Sequence, residues 1–331
     1  MGTGIQSGNS TNMILNFKRY WRYQILLALC LSISISATPE QDREFLSSVK
    51  EGTLKKVETL LSQGARIDAK DEEGRTALML AQGEDVVEFL IKNGANLNAQ
   101  DQDGNSVLFY RLLPLLKVKV PDMDDLAEAK RLIESGAQIE YMARKGEDQH
   151  PVSLLNMAIR NKNLTLVKFL VENGANPNHD PGGVEEYPLF LAVGGASSSP
   201  DLSITEYLLA NGAKPVFTSR LKEIQTPEGP KQIGARNAFH YATETLGTDP
   251  KIFDVLAKAG TNLNHRDARG KTPLIEAIYR KNVGAAEKLI ALGADITLSD
   301  IEGKTAFDLA KEVQLESVAR LIGEKLSPKT P

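Results

Sequence analysis

Cysteine and tryptophan are almost missing from this chain: one of each, Cys30 and Trp21, in 331 residues. Histidine is scarce too. His150, His179, His240 and His265 show no spacing that would set two metal ligands on one helix face, so no metal centre is expected. Neither sign of charge prevails. With 39 Lys+Arg against 43 Asp+Glu, the chain has no blanket attraction to nucleic acid or to anionic membranes. Aromatic residues make up only 6%, yet 41% hydrophobic content is ample for a core, which excludes a disordered chain.

Catalytic signatures are equally sparse. "GGASSSP" at Gly194 has serines near glycines but lacks the G-x-S-x-G nucleophile turn, and reads as a flexible loop between helices. "GTGIQSG" at the N-terminus follows no strand that would make it a phosphate loop. The many Asp and Glu residues resemble solvated helix faces, with no pair set apart as acid and base. No enzyme activity and no cofactor are expected.

Near the N-terminus, Lys18, Arg19 and Arg22 precede the apolar run Ile25–Ala37, and polar "TPEQDRE" follows it. A positive region, a short apolar stretch and small residues at Ser34, Ser36 and Ala37 are the parts of a cleavable secretory signal. The run is shorter than the ~20 apolar residues a spanning helix needs. Residues 1–36 are therefore expected to be a signal peptide, with Met13 as a possible true start and an uncleaved anchor as the alternative. "LALC" at Leu27–Cys30 resembles a lipobox, but Leu29 stands where a small residue is usual and apolar sequence continues beyond Cys30. Removal of the segment would leave 36 basic against 43 acidic residues and neither Cys nor Trp. A chain without thiols is indifferent to an oxidising compartment. The expected location is the periplasm or the medium, with lipid anchoring through Cys30 as the lesser reading.

What is abundant is one phrase. "QGARID", "NGANLN", "SGAQIE", "NGANPN", "NGAKP", "AGTNLN" and "LGADIT" place glycines at Gly64, Gly94, Gly136, Gly174, Gly212, Gly260 and Gly293. Apolar residues spaced three and four apart precede them, such as Leu54, Val57, Leu60 and Leu61, or Val167, Leu170 and Val171, which marks one face of a helix. The glycine that follows suits the left-handed residue closing a helix C-terminus. A second glycine often follows in an Asp-containing turn: "DEEGRTALMLA", "DQDGNSVLFY", "DARGKTPLIEA", "DIEGKTAFDLA". Asp and Gly suit a tight turn, and the Thr beyond can cap the next helix, with Pro273 at its first position. The unit is turn, helix, short loop, helix, glycine stop.

These residues resemble the ankyrin repeat family, whose signature is a Thr-Pro-Leu-His-x-Ala helix start in a 33-residue period. "GKTPLIEAIYRKNVGAAEKLIALGADI" matches best, with Ile275 in place of the His, while "NAFHYA" keeps it as His240. The resemblance covers Glu44 to Leu326. It implies an all-α ankyrin repeat solenoid of about eight helix-turn-helix units with short turn or β-hairpin tips, each unit burying its apolar face on its neighbours. The domain is expected over 37–327, with a tail at 328–331. The first unit lacks the turn-and-Thr opening and the last lacks another NGA, as in end caps. Extra residues are expected near 114–124, between the helices of the third unit, and near 217–235, before Asn237. Both are readable as tolerated surface loops, since loop closure costs little per added residue. The second insertion is the better functional candidate.

The resemblance implies a binding function rather than a reaction, with partners meeting the turn tips and the first helix of each pair. Those positions are Tyr141, Met142, Arg144 and Arg160 in the fourth unit, Tyr187 in the fifth, and Arg266, Arg269, Tyr279 and Arg280 in the seventh. Arg and Tyr are enriched at interface hot spots. Together they suggest a basic, aromatic concave face whose complement is another protein with an acidic patch, on a monomer that contacts neither nucleic acid nor, once its signal is removed, membrane. On this reading Arg144→Glu with Arg280→Glu weakens binding and leaves the fold intact. Export to the cell envelope, to bind and protect or position a partner, is one expectation. A secreted effector acting on host proteins is the other.

Overall fold

The computed structural model describes residues 38–118, 121, 123–140, 142–145, 150–180, 187–195, 198–227 and 229–327, with backbone alone at 123, 142–145 and 150–152. The segment read as a signal and the tail 328–331 lie outside the described residues. The described residues form two compact units, one of those up to Glu72 with Thr76–Ala95, the other of Glu73–Arg75 with those from Asn96 onward.

In the first unit, α1 (Pro39–Lys50), α2 (Leu54–Ser62), α3 (Ala77–Leu80) and α4 (Glu84–Lys92) form two helix pairs. α1 packs on α2 and α3, and α4 on α2 and α3, around fully buried Phe45, Val49, Val57 and Leu90. Thr38 caps α1 in a capping box with Gln41, and Pro39 takes the first helical position. The first unit thus does have a Thr opening, contrary to expectation. No Asp-Gly turn precedes Thr38 to flag it. Asp42, nearly buried, accepts from the Arg66 backbone N–H at 3.0 Å and from its Nε at 2.7 Å, tying α1 to the turn after α2.

The second unit continues with α5 (Val107–Leu112), α6 (Met123–Glu134), α7 (Leu154–Arg160), α8 (Leu164–Glu172), α9 (Pro188–Ala192), α10 (Leu202–Ala210), α11 (Ala238–Ala242), α12 (Pro250–Lys258), α13 (Pro273–Tyr279), α14 (Val283–Ala291), α15 (Ala306–Glu312) and α16 (Glu316–Leu326). Each odd-numbered helix pairs with the next even one. From α7 onward, odd helices also stack on odd ones and even on even, giving two rows with a continuous core from Leu108 to Ile322. This is a helical repeat solenoid. The predicted stop glycines all have left-handed backbone, φ 83° at Gly94 to 108° at Gly136, and helix starts carry the predicted caps: Thr272 accepts from the Ile275 N–H and Thr305 from Asp308.

Four residues after each of several stop glycines stands a polar side chain that fastens one repeat to the next. Asn98 Oδ1 accepts from the Gln138 N–H, Asn178 from Lys214, and Asn264 from Asp295, at 2.7 to 2.8 Å. Glu140 does the same for Asn176. Asn98 and Asn178 also donate through Nδ2 to the carbonyls of Gly136 and Gly212. The last Asn of "NGANLN" and "NGANPN" is therefore a staple between repeats, a role that the helix-stop reading of the phrase left out.

The two insertions differ in kind. Between α5 and α6, Pro114–Lys117 form a 3-10 turn whose Leu115 and Leu116 are buried. Asn163 Nδ2 donates to the carbonyls of Leu115 and Val118 at 2.9 and 2.8 Å, so this segment is packed into the array rather than lying over it. The longer insertion forms a hairpin, β3 (Lys222–Thr226) with β4 (Gly229–Ile233), whose described residues are exposed or half-exposed. A further hairpin, β1 (Met142–Lys145) with β2 (His150–Ser153), precedes α7. Among the described residues no helix is long and apolar enough to cross a membrane.

Candidate protein-interaction site

The densest polar chemistry lies where α11 stacks on α13. Glu276, on α13, is 2% exposed, and three cations meet it: Arg280 Nε at 2.8 Å, Lys271 Nζ at 3.3 Å and Arg236 at 3.7 Å. Glu244 joins the network through Arg236 at 2.7 Å and Arg280 at 3.1 Å. Burial alone would raise the Glu276 pKa, but the hydrogen bond from Arg280 and the charges of Lys271 and Arg236 hold it below the usual carboxylate range. Burial likewise opposes the charge on Arg236, and Glu244 and Glu276 outweigh it. Three cations and two carboxylates are thus linked across two repeats.

Two tyrosines frame this network. The Arg236 guanidinium lies 4.6 Å from the centroid of the buried Tyr241 ring, and Lys271 Nζ lies 3.5 Å from that of Tyr279. Tyr279 is 54% exposed, so one face of its ring is held by a nearly buried cation while the rest faces solvent. Just below, His240 is fully buried, with Nε2 3.0 Å from the Lys271 carbonyl and Nδ1 beside the Asn237 backbone N–H at 3.3 Å and Oδ1 at 2.8 Å. A carbonyl can only accept, which assigns a proton to Nε2. Desolvation pushes the His240 pKa down to about 3, and Arg236 adds to the shift. His240 thus hydrogen-bonds between neighbouring repeats.

Family models of ankyrin repeats match three stretches of the chain: a three-copy model over residues 45–110, a single-repeat model over 150–179 and a many-copy model over 256–310. The chain is an ankyrin repeat protein. Its curated relatives include the palmitoyltransferase ZDHHC13 of Homo sapiens, 24% identical over 62% of this chain and 35% of that one. A Caenorhabditis elegans homolog of ankyrin repeat and LEM domain-containing protein 1 is 33% identical over 29% of this chain and 14% of its own length. The potassium channel AKT1 of Arabidopsis thaliana is 26% identical over 67% of this chain and 26% of its own. The chain spans about a third or less of the length of these relatives. What this repeat protein shares with them is an ankyrin array, a protein-protein interaction module.

On the ankyrin frame the expected contact residues separate into groups. Tyr279 and Arg280 belong to the α11/α13 network, and Arg280 is already engaged with two carboxylates. Arg280→Glu would set a third carboxylate beside Glu276 and Glu244, so that substitution is not neutral for the fold, contrary to expectation. Arg266 fastens turn tips: its Nη2 donates to the Ser299 carbonyl at 2.7 Å and its Nε to that of Gly270 at 3.1 Å. Arg269 is exposed, and its carbonyl accepts from the Ile301 N–H at 3.2 Å, a bond from tip to tip. Tyr187 lies apart from these. Its hydroxyl donates to Asp180 at 3.1 Å, Arg220 pairs with the same carboxylate, and the ring packs on Phe190 and Phe217, so it holds the base of the long insertion. Burial and the adjacent Asp180 raise its pKa.

Arg160 is exposed at the end of α7 and has a partner within the chain. Met142 and Arg144 lie on β1, where the backbone alone is described, and Tyr141 lies outside the described residues. Sequence reading did not single out Arg236, Tyr241, Glu244, Lys271 and Glu276. Glu276 reads as an ordinary helix-face charge, and only the stacking of α11 on α13 buries it against three cations drawn from two repeats. Among the described residues no group of three His, Cys, Asp or Glu is placed to hold a metal ion.

Proposed function

We propose that this ankyrin protein is an exported, non-enzymatic binding protein of the cell envelope that holds and protects or positions another protein through the α11/α13 face. The observation that carries the binding face is Tyr279: an exposed aromatic ring fixed from beneath by Lys271 and bordered by Arg280. A pre-organised aromatic loses little side-chain entropy on docking, and Tyr and Arg dominate binding energy at interfaces. The half-exposed Arg280 beside the ring favours a partner with an acidic patch. Export rests on the basic, apolar and small-residue order of residues 18–37.

The test is a pull-down from periplasmic and secreted fractions of the producing cell, followed by affinity measurement on the retained protein. Tyr279→Ser is expected to weaken binding about tenfold or more, on the order of 1.4 kcal/mol, with thermal unfolding of the array unchanged. Undiminished affinity of that variant would remove the α11/α13 face from consideration. Capture from a host extract, with nothing retained from the envelope, would replace the envelope reading with a secreted effector.

A further inference from the structure

The long insertion has one open strand edge. β3 and β4 are antiparallel with Lys222 opposite Ile233, Glu223 opposite Gln232, Ile224 opposite Lys231, Gln225 opposite Pro230 and Thr226 opposite Gly229. Pro230 has no N–H, so its pairing with Gln225 is a non-hydrogen-bonded one, and the alternation of the ladder makes Glu223 with Gln232 the other. The N–H and C=O groups of Gln225 and Glu223 therefore point away from β4. Both residues are exposed, and among the described residues no backbone partner outside the hairpin meets them. On the opposite edge Pro230 removes one donor, a common way to blunt a strand edge. The β3 edge has no such block.

We infer that β3 of a second copy pairs with this edge, joining the two hairpins into a four-stranded sheet across a two-fold axis at Ile224. The residues suit self-pairing. An antiparallel register centred on Ile224 sets Glu223 opposite Gln225 of the other copy, and Gln225 opposite its Glu223. These are the residues whose outward groups can exchange both backbone hydrogen bonds, four in all across the axis. No like charges stand directly opposite. Ile224 meets its own counterpart in the close, non-bonded pair, Lys222 meets Thr226, and Leu221, 61% exposed, meets Pro227. Any other register sets Ile224 against a polar residue or turns the outward groups away from one another. A dimer departs from the monomer that the family resemblance suggests.

Light scattering on the purified full-length protein over a range of concentrations is expected to give a mass that rises from one chain towards two. Gln225→Pro removes one outward N–H without touching the β3 to β4 ladder, and is expected to return the mass to one chain at every concentration. Its helical signal should be unchanged. Ile224→Cys, with Cys30→Ser, sets two thiols across the axis at a Cα separation of about 4.5 Å, within disulfide reach. It should yield a covalent dimer on mild oxidation. Lys222→Cys in the same background places each thiol opposite Thr226 and should yield far less. A single-chain mass at all concentrations, a dimer indifferent to Gln225→Pro, or equal cross-linking from positions 222 and 224 would each overturn the proposal.

Discussion

At the scale of single residues, the buried ionisable groups of the α11/α13 junction are matched to their surroundings rather than left reactive. His240 is neutral because desolvation outweighs what the Lys271 carbonyl and Glu276 offer an imidazolium, whereas Glu276 is charged because three cations surround it. The histidine makes a prediction with a definite sign. Its folded pKa of about 3 lies below the ordinary value of 6.5, so between these limits the unfolded chain binds the extra proton. Its contribution to stability is complete above pH 6.5 and declines by about 1.4 kcal/mol per unit as pH falls below it. Urea unfolding at pH 7 and pH 5 should show this loss. His240→Gln should be less stable at pH 7 and lose less on acidification. An equal slope for both proteins would assign the acid sensitivity to other groups.

Among the elements, helices of four to twelve residues are too short to persist alone. Caps and glycine stops set where they begin and end, but stacking makes them stable. Asn178 shows the link from one repeat to the next: a single amide accepts from the Lys214 N–H and donates to the Gly212 carbonyl. Asn178→Ala is expected to cost about 1 kcal/mol, since the released backbone groups regain water at this partly exposed position. Hydrogen exchange should quicken at the Lys214 amide. A variant with unchanged exchange there would show the staple to be incidental. The same reasoning explains why the irregular spacing of the repeats is tolerated, because each staple spans only adjacent stops whatever lies between them.

For the molecule as a whole, contacts run between helices close in sequence, so stability is a sum over repeats and their interfaces. The β3/β4 hairpin stands outside that sum. Replacing residues 222–233 by a short Gly-Ser linker is expected to change unfolding free energy by no more than about 1 kcal/mol, since loop closure depends weakly on length. It should also abolish self-association. The equivalent excision of 114–117 should be far more damaging, because Leu115 and Leu116 are buried and their segment accepts the Asn163 amide. Thermal unfolding of the two deletions side by side distinguishes the packed insertion from the projecting one.

The amino-acid sequence by itself determined the repeat. Period-3.6 apolar spacing and glycine stops are local signals, written in consecutive residues, and they marked the helix pairs and their ends, while the ankyrin fold was implied by the resemblance that the repeated motifs carry. Insertions were legible as departures from the period, and His240 from its place in the helix-start motif. Only the tertiary structure decided what each polar residue does. Arg280 and Arg266 each have one partner four residues away, Glu276 and the Gly270 carbonyl, but the partners that tie them to neighbouring repeats, Glu244 and the Ser299 carbonyl, lie 36 and 33 residues off and are settled only by stacking. Tyr187 read as a contact residue and is the footing of a hairpin. A helix period tells which face is buried, but charge pairing depends on which repeats stack, and that is settled by packing across the array.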